Sequence, residues 1–184
     1  LSRVNEAEIK DLTLFYSKNK VSLSLPSWDN LKLTLADIHM LKGRAGPTKK
    51  IAMEVICLMA TIQEAEELLD VTRAHIDGCI LAHDANLDFA EKMYEMGAKT
   101  CIPTTINAIS VDKKNWRSQG QPNEFGSKAS RLADAYVNMG ARPTFTCAPY
   151  LLNDCPERDE VIGWSESSAV VFANSVLGAR TEKH

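Results

Sequence analysis

Apolar residues recur along this chain with two different periods, and each period predicts a different kind of element. The segments with helical spacing are 33–43, 47–65, 87–97 and 124–140. Three of them end in glycine, the usual stop signal of a helix. Thr34, followed by Asp37 three positions on, predicts a capping box that bonds the free N–H groups at the first helix start. We therefore expect four helices in this part of the chain.

Short apolar runs lie between these helices and predict strands. The runs cover 21–25, 67–75, 99–105, 142–150 and 161–164. Helix, glycine, strand and loop follow one another in a repeating order, which is typical of a parallel sheet with helices packed on it. The pattern therefore predicts an α/β fold, layered α/β/α, with a mostly parallel sheet.

Polar side chains collect where the predicted strands end. They are Thr72, Arg73 and His75; Thr104, Thr105 and Asn107; Thr146, Cys147 and Tyr150; and Ser165, Glu166, Ser167 and Ser168. In open parallel sheets, ligands bind just beyond the carboxyl ends of the strands. We therefore expect one rim of the sheet to collect all four groups.

Composition and charge narrow the class of function. The chain has 184 residues, 45% of them hydrophobic and 24% charged, as in a globular domain with a core. A net charge of −3 without a clustered basic face argues against nucleic acid as the main partner. No apolar run approaches the roughly 20 residues that span a bilayer.

The five cysteines form neither a CxxC pair nor a short, even framework. Their odd number favours a reducing, intracellular compartment, cytoplasm or mitochondrial matrix, with most thiols acting as small core residues. Cys147 stands at a predicted strand exit and has three interpretations. It is a buried thiol, a nucleophile with His75 as its base, or one ligand of an iron–sulfur cluster that needs partner cysteines.

Two polar segments have both a structural and a functional interpretation. The run PTTINAIS either caps the turn after a strand or forms a hydrogen-bonding cradle for a small carboxylate, through Thr104, Thr105 and Asn107. The run SESS predicts a helix start capped by Ser165, whose free N–H groups suit an anion. Arg180, beyond the glycine that ends this helix, is a candidate clamp for a carboxylate or phosphate.

Longer motifs carry a resemblance to a known family. The runs ESSAVVFANSVLGART, GARPTFTCAPYLL, PTTINAISVD and AHIDG resemble the large subunit of aconitase X, from about Leu33 to Thr181. The resemblance implies an aconitase-like domain of a hydro-lyase that dehydrates a small hydroxy acid. Family members act on cis-3-hydroxy-L-proline or on mevalonate 5-phosphate and use an iron–sulfur cluster, whose iron acts as a Lewis acid on the leaving hydroxyl.

The resemblance also implies roles for residues and partners. Cys147 is the expected cluster ligand. The expected catalytic and substrate-binding residues are His75, Glu166 and Ser167, with Thr104, Thr105, Asn107, Ser168, Asn174, Ser175 and Arg180. The expected partners are the hydroxy-acid substrate, a small swivelling domain or subunit, and a C-terminal part that supplies further cysteines. A larger protein assembly is a further expected partner.

The sequence departs from the family pattern at three internal positions. Arg44 stands where an acid is expected, Cys155 replaces an apolar residue, and the usual Glu-His pair reads Glu160-Val161. We divide the chain into an N-terminal arm, 1–32, and an aconitase-X-like domain, 33–184, shorter than in the family. The alternative to a dehydratase is an inactive domain of this type, with an incomplete cluster ligand set, that serves as a structural or interaction subunit.

Overall fold

A computed structural model of the chain describes residues 28–153, 155–165 and 169–182. The five helices of this part are α1 Leu35–Leu41, α2 Pro47–Ile62, α3 Asp84–Glu95, α4 Asn123–Asn138 and α5 Ala169–Ser175. The five strands are β1 Ala74–Ile76, β2 Thr104–Ile106, β3 Arg142–Pro143, β4 Val161–Trp164 and β5 Arg180–Glu182. A 3₁₀ turn, Pro149–Leu152, lies between β3 and β4. The predicted strand at 21–25 lies outside the described residues.

The strands form one parallel sheet with the order β3-β2-β1-β4-β5. The chain builds outward from β1 through β2 to β3, then returns to the other side of β1 for β4 and β5. Because crossovers between parallel strands are right-handed, this reversal places helices on opposite faces of the sheet. The point of reversal, between β1 and β4, is the topological switch point of the sheet.

Side-chain packing confirms the layered α/β/α fold. On one face, Ile76 and Ile106 pack with Ala133 of α4, and α3 packs against α4. On the other face, Ile162 and Trp164 pack with Ala173 of α5. Each face therefore buries its own apolar cluster, as burial of both sides of a parallel sheet requires.

The helix ends agree with the sequence signals. Thr34 and Asp37 form the predicted capping box at the start of α1. Gly97 and Gly140 follow α3 and α4 with φ values of +81° and +110°, in the backbone region that glycine enters without strain. Local sequence therefore predicts where these helices start and stop, because the groups that bond the free N–H and C=O groups of a helix end lie within a few residues of it.

The strands are shorter than the apolar runs predict. The run 67–75 becomes a strand only from Ala74, where pairing with Thr104 begins. The run 142–150 pairs with β2 over two residues only. Pairing with a neighbour, rather than apolar character, sets these bounds. Thr72 and Arg73 therefore precede β1 at the amino edge of the sheet, and the prediction that they stand at a strand's carboxyl end is wrong.

The five thiols divide into two buried and three exposed groups. Cys57 packs in the cluster beneath α1 and α2, and burial raises the pKa of the Cys79 thiol to about 11. Cys101, Cys147 and Cys155 are exposed, so the prediction that most thiols are core residues is wrong. Within the described part, no helix is long and apolar enough to cross a membrane.

Candidate functional site at the switch point of the sheet

Four side chains line up across the sheet on the face that carries α5. The register pairs Arg142 with Thr105, Thr105 with His75, and His75 with Trp164. Side chains of paired residues in neighbouring parallel strands point to the same face. The order of the strands therefore assembles one row from four segments that are far apart in sequence.

A cavity of about 320 Å³ lies over this row. Its lining residues are Arg73, Ala74, His75, Pro103, Thr104, Thr105, Gly140, Arg142, Pro149, Gly163 and Trp164. Three residues predicted as functional, His75, Thr104 and Thr105, thus meet around one cavity. The cavity covers the middle and the amino half of the strands, beside α5, and not the carboxyl edge.

His75 is the buried polar centre of the row, at 3% exposure. Its Nδ1 atom lies 2.8 Å from the Thr105 hydroxyl, and its ring packs against Trp164 with centroids 5.0 Å apart. Thr104 bonds the carbonyl of Ile102 instead and lies one position off this row. The indole Nε1 of Trp164 is buried and makes no hydrogen bond to any described residue.

The amino edge of the sheet holds a network centred on the carboxylate of Glu160. Thr72 Oγ1 donates to it at 2.5 Å, Arg73 Nε at 2.8 Å and the Glu157 N–H at 2.7 Å. Burial raises the pKa of this carboxyl, but the bonds from Thr72, the Glu157 backbone and Arg73 outweigh it and hold the pKa below its ordinary value. The network fastens β4 to the segment entering β1.

We expect Glu160→Gln to lower the free energy of unfolding by about 2 kcal/mol at pH 7, because the charge-assisted bonds to Arg73 and Thr72 are lost. A carboxyl whose pKa is depressed on folding stabilises the protein above its unfolded value of 4.5. The difference between wild type and variant should therefore shrink as the pH falls below 4.5 and through the folded pKa.

Urea unfolding at several pH values measures this difference, with Glu157→Gln as the control. Glu157 contributes its backbone N–H to the network, which that substitution retains. A Glu160→Gln protein as stable as wild type at pH 7 would contradict the assignment.

A second network lies at the carboxyl edge, at the switch point. Asn107 Nδ2 donates to Asp77 Oδ1 at 2.6 Å, and the Asn107 N–H donates to the Ile76 carbonyl at 2.9 Å. The Ser165 hydroxyl accepts from the Asp77 N–H and donates to the His75 carbonyl, both at 3.0 Å. Hydrogen bonds thus join the ends of β1, β2 and β4 beyond the point where the sheet stops.

The Ser165 hydroxyl bonds the end of β1, on a neighbouring strand, and the helix start that it is predicted to cap lies outside the described residues. Helix α5 is described from Ala169 onward. The other residues of that predicted anion site, Glu166, Ser167 and Ser168, lie outside the described residues. Their predicted roles stay predictions.

Three further residues predicted to bind substrate lie at the opposite, amino edge of the sheet. Arg180 is exposed and begins β5 at the amino edge, paired with Val161. Asn174, near the end of α5, bonds both the hydroxyl and the N–H of Thr181, and Ser175 bonds the Val171 carbonyl. They lie at this edge because α5 runs back along the sheet and brings its end there, and their predicted role in substrate binding stays a prediction.

The sequence pattern did not identify two candidate functional residues, Asp77 and Arg142. In the sequence, Asp77 occurs only within the motif AHIDG, and Arg142 only as the first residue of a predicted strand. Knowledge of the strand register would have identified both. Arg142 pairs with Thr105, and Asp77 follows His75 by two residues, at the end of β1. Register depends on which strands are neighbours, and local sequence does not state it.

Comparisons with known proteins match the same part of the chain. The family model described as the aconitase X first domain matches residues 30–184. The chain belongs to the aconitase X family. It is 51% identical over 153 residues to a cis-3-hydroxy-L-proline dehydratase of Pseudomonas aeruginosa, covering 83% of this chain and 26% of that protein. A phosphomevalonate dehydratase large subunit of Methanothermobacter thermautotrophicus is 37% identical over 147 residues. The match covers 79% of this chain and 37% of that subunit.

A solved structure agrees with the aconitase X fold. The holo-form of Thermococcus kodakaraensis aconitase X superposes with a TM-score of 0.73 and 34% identity, over 83% of this chain and 38% of that one. The chain thus spans between a quarter and two fifths of the length of these three aconitase X relatives.

The thiols of this aconitase X domain do not by themselves fit an iron–sulfur cluster. Such clusters take several cysteine ligands. Within residues 28–153, 155–165 and 169–182, no group of three or more His, Cys, Asp or Glu side chains is placed to hold a metal ion. Cys147 is exposed in the loop after β3, where its thiol is accessible as a single ligand. A cluster here needs ligands from outside the described residues.

Proposed function

We propose that this chain is the first domain of a hydro-lyase that removes water from a small hydroxy acid. The reaction releases hydroxide from one carbon and a proton from its neighbour, which leaves a carbon–carbon double bond and one water. The relatives with 51% and 48% identity are both cis-3-hydroxy-L-proline dehydratases, whereas the phosphomevalonate dehydratase subunits stand at 37% or less. Cis-3-hydroxy-L-proline is therefore the substrate to test first.

The observation that carries this proposal is the placement of Asn107. Its amide is buried at the carboxyl edge beside the switch point, where open parallel sheets bind ligands. A buried amide held at a strand end is a ready donor to a carboxylate or hydroxyl oxygen. We assign the substrate to this edge rather than to the cavity. His75, Thr104 and Thr105 line the cavity instead, so their predicted roles stay predictions that this assignment does not use.

The cavity suits a different partner, the remaining part of an aconitase X enzyme. The surface beside it is apolar, since Leu151, Leu152 and Phe172 are 75%, 47% and 39% exposed. Tyr150 links this surface to the cavity wall by stacking on both Phe172 and Trp164. Apolar surface of this kind marks an interaction site. We propose that the further domains of the enzyme pack here, in the same chain or another, and close the site.

Cys147 is, in this proposal, one ligand of an iron–sulfur cluster whose other ligands come from that remaining part. We expect Cys147→Ser to lower the iron and acid-labile sulfide of the complete enzyme by at least half, because oxygen is a poor substitute for thiolate in such clusters. The measurement is metal and sulfide analysis with a visible absorption spectrum on protein prepared without oxygen.

The matched control is Cys155→Ser, which removes another exposed thiol of the same segment. It should retain the iron content of the wild type. Equal iron in both variants would remove Cys147 from the ligand set and leave the hydro-lyase proposal standing.

Turnover tests the function itself. The complete enzyme, containing this chain, is mixed with cis-3-hydroxy-L-proline or mevalonate 5-phosphate, and loss of substrate is followed by NMR. We expect consumption of the hydroxyproline. Consumption of mevalonate 5-phosphate alone would keep the reaction type and change the substrate. No turnover of either, with cluster-level iron present, would contradict the proposal.

The second candidate function is an inactive aconitase-X-like domain kept as a structural or interaction subunit. The observation that favours it is that no three His, Cys, Asp or Glu side chains of the described residues are grouped to hold a metal ion, together with the exposed apolar surface around Tyr150. Absence of iron, absence of turnover and stable association with another protein chain would together support this alternative.

A further inference from the structure

The side-chain amide of Asn107 has a fixed orientation. The Ala108 N–H can only donate, so the Asn107 atom 2.7 Å away must be the oxygen Oδ1. The Asp77 carboxylate accepts when ionised, so the atom 2.6 Å from it must be the nitrogen Nδ2. The two contacts therefore assign the same orientation independently, and a flipped amide would break both bonds.

Among the described residues, this bonding leaves one hydrogen of the Asn107 amide without an acceptor. An asparagine nitrogen carries two hydrogens, and Asp77 accepts one of them. The main chain of Asn107 is held as well, since its N–H bonds the Ile76 carbonyl and its own carbonyl accepts from the Cys79 thiol at 3.3 Å. At 5% exposure the residue has little room to turn. The second hydrogen of Nδ2 thus keeps a single direction at the carboxyl edge.

Asp77 is in turn held from the neighbouring strand. Its N–H donates to the Ser165 hydroxyl, which donates to the His75 carbonyl two residues before Asp77. Ser165 directly follows β4, so this link crosses the switch point between β1 and β4. The direction of one amide hydrogen is therefore fixed by three strands at the place where the topology predicts a ligand.

We propose that Asp77 is a positioning residue that aims the free amide hydrogen of Asn107 at an oxygen of the bound hydroxy acid. The proposal rests on the proposed function for the identity of the ligand, and on the described geometry for the role of Asp77. Asp77 acts here as a hydrogen-bond acceptor and transfers no proton. A donor that is oriented before the substrate arrives needs no reorganisation during the reaction, which is where such groups contribute most to rate.

The acceptor role distinguishes two substitutions at one position. Asp77→Asn keeps an oxygen that can accept from Nδ2 and removes the charge, so kcat/KM of the complete enzyme should stay within about threefold of wild type. Asp77→Ala removes the acceptor, and kcat/KM should fall about 10- to 100-fold. A proton-transferring Asp77 would instead give a large loss of kcat/KM in both variants, because neither asparagine nor alanine can exchange a proton with the substrate.

A double-mutant cycle tests whether Asp77 acts through Asn107. In an Asn107→Ala background, Asp77→Ala should cause no further loss of kcat/KM, because the group that it orients is gone. Full additivity of the two losses would overturn the proposal. Asp77→Ser, whose shorter side chain falls short of Nδ2, replaces Asp77→Ala if that variant does not fold.

A spectroscopic readout separates this inference from the proposed function. In ¹⁵N-labelled protein, the two Nδ2 hydrogens of Asn107 should exchange with solvent at clearly different rates, and Asp77→Ala should abolish the difference while Asp77→Asn keeps it. Unchanged exchange in Asp77→Ala would overturn the positioning role, whatever the activity. If Asp77→Ala alters the exchange but the wild-type enzyme dehydrates neither hydroxy acid, the proposed function is overturned and the Asp77–Asn107 link is retained.

Discussion

Replacing Asn107 by alanine is expected to lower kcat/KM for hydroxyproline dehydration by about 100-fold or more. The substitution removes the buried amide donor that we place against the substrate, and loss of one preorganised donor of this kind costs on the order of 10²- to 10³-fold. It also strips the Asp77 carboxylate and the Ala108 N–H of their side-chain partner. The measurement is steady-state kinetics of the complete enzyme on cis-3-hydroxy-L-proline.

The control for this prediction is Asn138→Ala. Asn138 is an exposed asparagine at the end of α4, and its backbone carbonyl, which accepts from Lys99, is retained in the variant. Its kinetics should match the wild type. An Asn107→Ala enzyme that is folded and keeps kcat/KM within about threefold of wild type would remove Asn107 from the site, together with the assignment of substrate to the carboxyl edge.

Gly126→Ala should destabilise the fold by about 3 kcal/mol, although alanine is the better helix former. The exchange within α4 would gain about 1 kcal/mol from helix propensity alone. A Cβ atom at this position, however, would stand 2.2 Å from Cε3 of Trp116, closer than any unstrained contact. The Trp116 ring is 2% exposed and packs with Val111 and Ala129, so it has no free space to move into. Overpacking of this kind costs roughly 1–3 kcal/mol or more.

Urea unfolding at neutral pH measures this second effect. Ser127→Ala is the matched control, since Ser127 is the next residue of the same helix and is exposed. It should change the free energy of unfolding by less than about 0.5 kcal/mol. A Gly126→Ala protein at least as stable as wild type would mean that Trp116 repacks, and that the close approach of α4 to this ring is not required.

The two substitutions test different consequences of the same arrangement. Trp116 and Gly126 fix the position of α4, which packs on the back of β1 and β2 through Ile76 and Ile106. Asn107 directly follows Ile106, so the apolar layer on one face supports the polar network at the edge. Stability measured at Gly126 and activity measured at Asn107 are expected to vary independently, because neither substitution touches the other's contacts.

Much of the fold follows from local sequence. The capping box of Thr34 and Asp37 and the glycines at 97 and 140 mark helix ends, because those ends are satisfied by groups within a few residues. The alternation of helices and apolar runs predicts a parallel sheet, since each short strand needs a covering helix. The motifs at Cys147 and Asn107 carried the resemblance to aconitase X, and the family comparison confirms it.

The sequence by itself therefore determined the class of fold, most helix ends, the family, and Asn107 as a candidate site residue. Only the tertiary structure decided which strands are neighbours, and with that the pairing of His75 with Thr105 and Trp164. It also decided that Asp77 joins Asn107 and Ser165 at the switch point, whereas Arg180 and Asn174 lie at the opposite edge. The physical reason is how far apart along the sequence the interacting residues lie. Helix ends depend on contacts a few residues apart, but strand order and register depend on pairings 30 to 90 residues apart, which no local pattern records.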